Sequence, residues 1–313
     1  MGFLYYSIIF SSKFMKKDLN KGLHPRNKHN QEYNFNLLTT AFPDLKKHIS
    51  INKYGNESID FANPDAVRSL NNALLKYFYQ INFYDLPKTN LYPPIPGRAD
   101  YIHYIADLLA KGINGTLPTG SGIKILDIGT GANCIYPILG HKIYGWTFVA
   151  TEVDKPALLT AEKIIQENEL SKYITLRFQE NKRNSFKKII KTNEVFDCVI
   201  CNPPFHNSRE EATKGSIRKL HNLGKETEGK VVLNFGGQNN ELWCEGGEKA
   251  FITNMIYESV HFKSQVKWFS SLVSKKEHLK HFESILKKLK ASSEIIYMKQ
   301  GNKTTRILAW RFL

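Results

Sequence analysis

Five short apolar runs recur down the second half of the chain: Ile123–Ile128, Thr147–Val153, Ile174–Phe178, Phe196–Cys201 and Val266–Val273. Stretches of helical character fall around Pro137, over Pro156–Asn168 and Ser185–Lys191, and again over Glu248–Val260 and Ser274–Leu289. Strands that alternate with helices are built to run parallel, because each helix carries the chain back across the sheet. Near-continuous apolar runs suit such strands, which are covered on both faces. The last helical stretch opens on Ser274-Lys275-Lys276-Glu277, the spacing of a capping box. The chain closes with Glu294–Met298 and Arg306–Phe312 around Gly301-Asn302, a hairpin signal. An α/β fold with a seven-stranded sheet over residues 119–313 is the expectation.

The preceding residues read differently. Residues 16–118 predict a basic arm and a small, mainly helical lobe. Phe35, Leu37, Leu38, Phe42 and Leu45 suit a short helix interrupted at Pro43. Asn63-Pro64-Asp65-Ala66 has the cap, proline and acid of a helix start, followed by Val67, Leu70, Leu74, Leu75 and Phe78 at helical spacing. A Pro-rich turn, Leu91 to Arg98, leads to a second helix with Tyr101, Ile102, Ile105, Leu108 and Leu109 on one face and a stop at Gly112. Leu117–Gly122 reads as a linker. Residues 1–15 are apolar at first but lack a basic n-region, and are expected to be a loosely attached extension ahead of a start at Met15.

No apolar run is long enough to span a bilayer. Four cysteines in 313 residues make no disulfide framework, so a reducing cytoplasm is expected. Cys198 and Cys201 have Cys-x-x-Cys spacing, but on a strand they face opposite ways, which predicts core thiols and no metal. A formal charge of +15 points to a polyanionic partner, nucleic acid before membrane. Lys21, Arg26 and Lys28, interleaved with Tyr33 and Phe35, form one candidate phosphate-binding group. Lys214, Arg218 and Lys219 form another, inside a polar, Gly-rich stretch, residues 206–247, expected to be a substrate-facing flap. Lys275 and Lys276 complete the set.

Asp197 to Phe205 carries the chemistry. A strand here must stop at Pro203-Pro204, because prolines cannot donate ladder hydrogen bonds. Asn202, the proline carbonyls and the Phe205 ring are then left at a strand's carboxyl end, where open α/β sheets bind ligands. Two acceptors and a flat apolar face suit a planar amine, although a rigid turn with a core Phe gives the same residues. Asp127-Ile128-Gly129-Thr130-Gly131-Ala132-Asn133 follows the first strand of the sheet. Cys134 stands where a dinucleotide fingerprint needs its third glycine, which weakens a nicotinamide reading. Asp127 instead suits the ammonium of S-adenosyl-L-methionine. At the next strand end Glu152 suits ribose hydroxyls, and Asp154 a helix cap.

The motifs His24-Pro25-Arg26-Asn27, Tyr54 to Phe61, Pro94-Ile95-Pro96-Gly97-Arg98-Ala99-Asp100-Tyr101, Asn202-Pro203-Pro204-Phe205-His206, Asn234 to Asn239, Trp243 to Glu248 and Trp268 to Lys276 resemble the RlmF family of bacterial methyltransferases. The likeness covers nearly everything after Gly22. More distantly, the chain is similar to the eukaryotic enzyme that methylates U6 small nuclear RNA. The resemblance implies a Rossmann-like, class I S-adenosyl-L-methionine-dependent fold that methylates N6 of one adenosine in 23S ribosomal RNA. Gly129 and Gly131 let the loop pass close beneath the cofactor. The resemblance implies that Arg98 approaches the cofactor carboxylate, that Gly129 and Glu152 hold the cofactor with Asn202 also against it, and that residues 179–183 lie near its adenine. Asn202 would hold the target amine with Pro203 and Pro204, and Phe205 would stack on the base. A monomer acting on 23S RNA or a large-subunit assembly intermediate is expected. A protein glutamine-amide methyltransferase, a DNA adenine-N6 methyltransferase and a non-catalytic RNA-binding assembly protein are the alternatives.

Overall fold

The computed structural model of the protein describes residues 22–87, 90, 92–205, 244–300 and 303–312. Lys21, Lys214, Arg218 and Lys219 lie outside these, as do the expected extension and all of the expected flap except residues 244–247.

Helix α1, Phe35–Ala41, starts where the Asn34 side chain accepts the Leu37 N–H, and a tight 3-10 turn, Pro43–His48, follows its expected break. A small antiparallel pair, β1 (Ile49–Ile51) and β2 (Glu57–Ile59), comes next and had no clear period in the sequence. Helix α2, Pro64–Tyr79, has the expected cap: Asn63 accepts from the N–H groups of Asp65 and Ala66. Helix α3, Ile95–Ala110, does not stop at Gly112. It tightens into a 3-10 turn, Lys111–Ile113, and reverses at Asn114 in the left-handed region, φ 55°. Asn tolerates that conformation through its short polar side chain, so it does the work expected of glycine.

The seven-stranded sheet contains β3 (Lys124–Ile128), β4 (Thr147–Glu152), β5 (Ile174–Phe178), β6 (Phe196–Cys201), β7 (Val266–Val273), β8 (Ala291–Gln300) and β9 (Lys303–Phe312). Their order is β5-β4-β3-β6-β7-β9-β8. The first five strands run parallel, and β9 lies antiparallel between β7 and β8. Gln300 pairs with Lys303, and the expected turn at Gly301-Asn302 lies outside the described residues. Helices α4 (Ile135–Tyr144), α5 (Lys155–Glu167), α6 (Gly247–Ser259) and α7 (Leu279–Lys288) pack around this sheet, and α3 lies against β6 and β8.

Two expected helical features are absent from their places. Residues 185–190 form turns rather than a helix. Lys188 stands in the left-handed region, φ 66°, which ends the turn after a few residues, and Glu258 holds the N–H groups of Ser185, Phe186 and Lys187 at 2.6–3.0 Å. The Ser274-to-Glu277 capping box does not form either. Glu248 instead accepts from the Ser274 N–H at 2.7 Å, from its hydroxyl, from the Lys275 N–H and from His278 Nδ1.

Apolar residues fill both faces of the sheet. One cluster runs from Phe35 and Leu38 through α2, α3 and α4 to Ile125, Cys198 and Ile307. The other gathers Phe186, Cys201, Met255, Phe269, Phe282 and Trp310. Cys198 and Cys201 therefore do belong to opposite faces, and burial raises both thiols. A Cβ at Gly140 would meet the Phe148 ring at 2.3 Å, so glycine lets α4 lie flat on β4. Trp310 is fully buried, stacks on Phe269 at 5.7 Å and donates its indole N–H to Ser259, so its truncation costs about 3–5 kcal/mol.

Candidate active site

Three strand ends meet at the carboxyl edge of the sheet. After β3 the chain crosses that edge through Gly129 and Gly131, whose φ values of 72° and 65° exclude most other residues. Cys134 opens α4 in the left-handed region, φ 46°, and Asn133 accepts the Ile135 N–H. The loop is buckled to β4 by Glu152. One of its oxygens accepts the Gly131 N–H at 2.9 Å; the other accepts Val153 at 2.7 Å and Asp154 at 3.1 Å. Burial still raises the Glu152 pKa, against those three N–H groups.

Asp127 ends β3 fully buried, and neither of its oxygens has a hydrogen-bond partner. Burial pushes this carboxyl up to about 7; Glu152 pushes it further, while the Thr130 hydroxyl and Arg98 pull it down. A buried carboxyl without a partner is costly unless a ligand completes it. Asp154 has the position of the α5 cap, but its side chain caps no N–H, and its Oδ2 is buried without a partner. The expected cap is thus an open acceptor beside Glu152. Arg98, in the first turn of α3, donates to the Tyr136 hydroxyl at 2.9 Å and lies 5.4 Å over that ring.

Strand β6 ends at Cys201, in register with Ile128, so the following Asn202 leaves the sheet level with Gly129. The Asn202 Oδ1 is buried and accepts from nothing. Pro203 is buried, and Pro204 and Phe205 are partly exposed. Beside β4, Gln179 donates its backbone N–H to the Glu152 carbonyl at 2.8 Å. Its side chain takes the Asn181 N–H and donates to the Lys187 carbonyl, which folds residues 179–183 onto the same edge.

The sequence does not single out Tyr136, and Tyr101 reads there only as part of an apolar helix face and of a family motif. Tyr136 receives Arg98, and Tyr101 touches the backbone of Cys201 with its hydroxyl. The available signal was a polar tip within an apolar helical stripe. Arg26 proves to be a clamp. Its guanidinium donates to Asp107 at 2.6 Å, to the Tyr144 hydroxyl at 3.0 Å and to the His103 carbonyl at 3.1 Å. Those donors are committed to α3 and α4 rather than turned to phosphate. Lys28 and Lys276 are exposed, and Lys275 is half-buried.

Unpaired acid at two strand ends, a nearby guanidinium and an open amide acceptor fit a ligand with an ammonium, a carboxylate and a ribose. S-adenosyl-L-methionine has all three. Among the described residues no group of three or more His, Cys, Asp or Glu could hold a metal ion, and no helix is long and apolar enough to cross a membrane.

Comparison with known proteins agrees with this geometry. A family model described as RNA methyltransferase matches residues 17–313. Ribosomal RNA large subunit methyltransferase F of Flavobacterium johnsoniae is 55% identical over 295 residues, covering 93% of each chain. Its namesake in Pseudomonas fluorescens strain SBW25 is 52% identical over 293 residues, covering 93% of this chain and 86% of its own. Among solved structures, the hMettl16 catalytic domain in complex with the MAT2A 3′UTR hairpin 1 has a TM-score of 0.78 at 32% identity, over 94% of this chain and 96% of that one. The N-terminal domain of human METTL16 in complex with SAH has a TM-score of 0.74 at 30% identity, over 94% and 100%. The chain is a Rossmann-like methyltransferase with a seven-stranded sheet, and it belongs to the RNA methyltransferase family that includes the large-subunit methyltransferases F.

Proposed function

We propose that this enzyme transfers a methyl group from S-adenosyl-L-methionine to N6 of one adenosine in 23S ribosomal RNA. The observation that carries the reading is the unpaired Asn202 Oδ1, held level with Gly129 and beside the unpaired carboxyl of Asp127. The names of the relatives support a large-subunit RNA as substrate.

When bound, the cofactor supplies an already activated methyl group on a sulfonium. Asp127 takes its ammonium, Arg98 its carboxylate and Glu152 its ribose, while Gly129 and Gly131 let the backbone come close. Residues 179–183 lie toward its adenine. The N6 lone pair of the target is delocalised into the purine ring. Asn202 Oδ1 and the Pro203 carbonyl accept the two amino hydrogens, which favours a pyramidal nitrogen and frees the pair. Pro204 stiffens the turn, and Phe205 stacks on a base taken out of its own stack. Positioning in a dry site is the main contribution of the protein.

Lys28, Lys275 and Lys276 serve the RNA backbone on this reading, with residues 16–118 as the lobe that holds the substrate. The enzyme acts in the cytoplasm as a monomer, on 23S RNA or on an assembly intermediate. Mapping N6-methyladenosine in ribosomal RNA from cells with and without the gene tests the proposal. One modified adenosine should disappear on deletion and return with the wild-type gene but not with Asn202→Ala. An unchanged map overturns it.

A further inference from the structure

The pairing of β6 with β7 ends at Val199↔Phe269, two residues before β6 itself stops. In a parallel ladder the C=O of one residue and the N–H of the residue two further on go to a single partner on the next strand. Here the Cys201 N–H lies beyond the last pair and is met by a hydroxyl, and the Val199 C=O of that last pair takes a hydroxyl as an additional donor. The Cys201 N–H donates to the Tyr101 hydroxyl at 3.3 Å. Tyr101 and Ser270 hydroxyls are 2.9 Å apart, and Ser270 donates to the Val199 C=O at 2.8 Å. The single hydroxyl hydrogen of Ser270 goes to Val199, and Tyr101 donates to the Ser270 oxygen at 2.9 Å, nearer than its other acceptor, the Cys201 carbonyl at 3.5 Å. The relay therefore has one direction: Cys201 N–H to Tyr101 to Ser270 to Val199 C=O.

This relay stands immediately before Asn202. Its members are fully buried, so an unmade bond here would not be repaired by solvent. Tyr101 also lies one helical turn after Arg98 on α3, with its ring edge-on to Tyr136, the residue that receives Arg98. A single helix thus fixes the strand end that carries Asn202 and the guanidinium at the other side of the site.

We infer that Tyr101 is a positioning residue for methyl transfer: its hydroxyl, through Cys201 and Ser270, sets where Asn202 presents its carboxamide. This rests on the reading of Asn202 as the holder of the target amine. Tyr101 itself touches no substrate. Burial holds its pKa far above neutrality, so the hydroxyl keeps its proton throughout the working range.

Tyr101→Phe keeps the ring packing and removes only the relay. Single-turnover methyl transfer to ribosomal RNA should slow by about tenfold to a hundredfold, the scale of small misplacements at a reacting centre. The RNA concentration for half-maximal rate and the affinity for S-adenosyl-L-methionine should stay within about twofold of wild type. Ser270→Ala should slow transfer as well, and the double variant should be no slower than Tyr101→Phe, because both break one chain. Where Tyr101→Phe does not fold, Ser270→Ala carries the same kinetic test. Amide hydrogen exchange is read in parallel on the peptide that ends at Asn202, and should speed up by about tenfold in the variant. Wild-type transfer rates in folded variants, or unchanged exchange, overturn the inference. A wild-type enzyme inactive on ribosomal RNA defeats the substrate reading instead, and the exchange measurement still decides the relay.

Discussion

Just before β6, Glu194 accepts from both terminal nitrogens of Arg177 at 2.6 Å and from Lys124 at 3.0 Å, whereas at the far end of the same sheet Asp127 and Asn202 hold buried oxygens that accept from nothing. Asp197 follows the pattern of the amino edge: one oxygen faces Lys267 at 2.7 Å, the other takes the Lys124 N–H at 2.8 Å. The titration of the two edges diverges accordingly. Arg177 draws Glu194 down to about 2, and burial drives Asp127 up to about 7. Polar groups at one edge are spent on the fold. Those at the other are left open, at a cost in ligand-free stability.

The largest effect should come from breaking the open edge at its acceptor. Asn202→Ala removes the group proposed to hold the amine but leaves Asp127, Glu152 and the glycine loop in place. Methyl transfer should fall on the order of 10²–10³-fold, the usual loss for one preorganised polar group, with cofactor affinity changed only a few-fold. Transfer of labelled methyl beside calorimetric titration of the cofactor measures both. Near wild-type transfer would reduce Asn202-Pro203-Pro204-Phe205 to a turn.

Asp127 sharpens the comparison through pH. The bound ammonium needs an ionised carboxylate, so affinity for S-adenosyl-L-methionine should rise with pH through about 7 and level off above it. Asp127→Asn should weaken binding severely and flatten that dependence. For the ligand-free fold the sign is opposite. The folded carboxyl binds its proton more tightly than the ordinary value of 3.8, so this group removes stability as pH rises from there to about 7. Ligand-free Asp127→Asn should therefore melt higher than wild type at pH 8. A lower melting temperature would show the carboxylate to be partnered in solution.

At the paired edge, Glu194→Gln should do the reverse. Two strong hydrogen bonds with Arg177 are weakened in a half-buried place, costing about 2 kcal/mol of stability. Methyl transfer per folded molecule should not change. The depressed pKa means that Glu194 contributes stability above 4.5 and loses it as pH falls toward about 2. The acid limb of the melting curve of Glu194→Gln should be correspondingly flatter. Lost transfer in this folded variant would tie the two edges together.

The same division explains what could be read from the sequence. Local signals held: the Asn63 cap, the stop of β6 at Pro203 and the register of the final hairpin all depend on neighbouring residues. The strand-end acids were legible because a site acid announces itself by its place after a strand. What escaped were polar contacts across long separations. Glu258 holds the turn at 185–187 from 71 to 73 residues away, and Glu248 takes the Ser274 N–H across 26. Tyr101 reaches Ser270 across 169 residues, so its role appears only when α3 is laid on the sheet. The charge of Arg26 is visible in the chain, but its partner Asp107, 81 residues on, is not.

The smallest expected effect separates basic residues of the two kinds. Lys28 and Lys276 are exposed, while Arg26 is bound to Asp107 in an ion pair whose side chains are 34% and 42% exposed. A lysine on phosphate displaces counterions, and each one lost should lower the slope of log affinity against log salt by about 1. Neutralising Lys28 and Lys276 together should flatten the slope for ribosomal RNA by about 2 and leave the melting temperature alone. Arg26→Gln should keep the slope and cost about 1 kcal/mol or less, because a pair this exposed is largely screened. Fluorescence anisotropy over a salt series, with a melting curve for each protein, reads both quantities. A flattened slope in Arg26→Gln would mean that the arm lets go of Asp107 when RNA arrives, and the clamp would then belong to the binding surface.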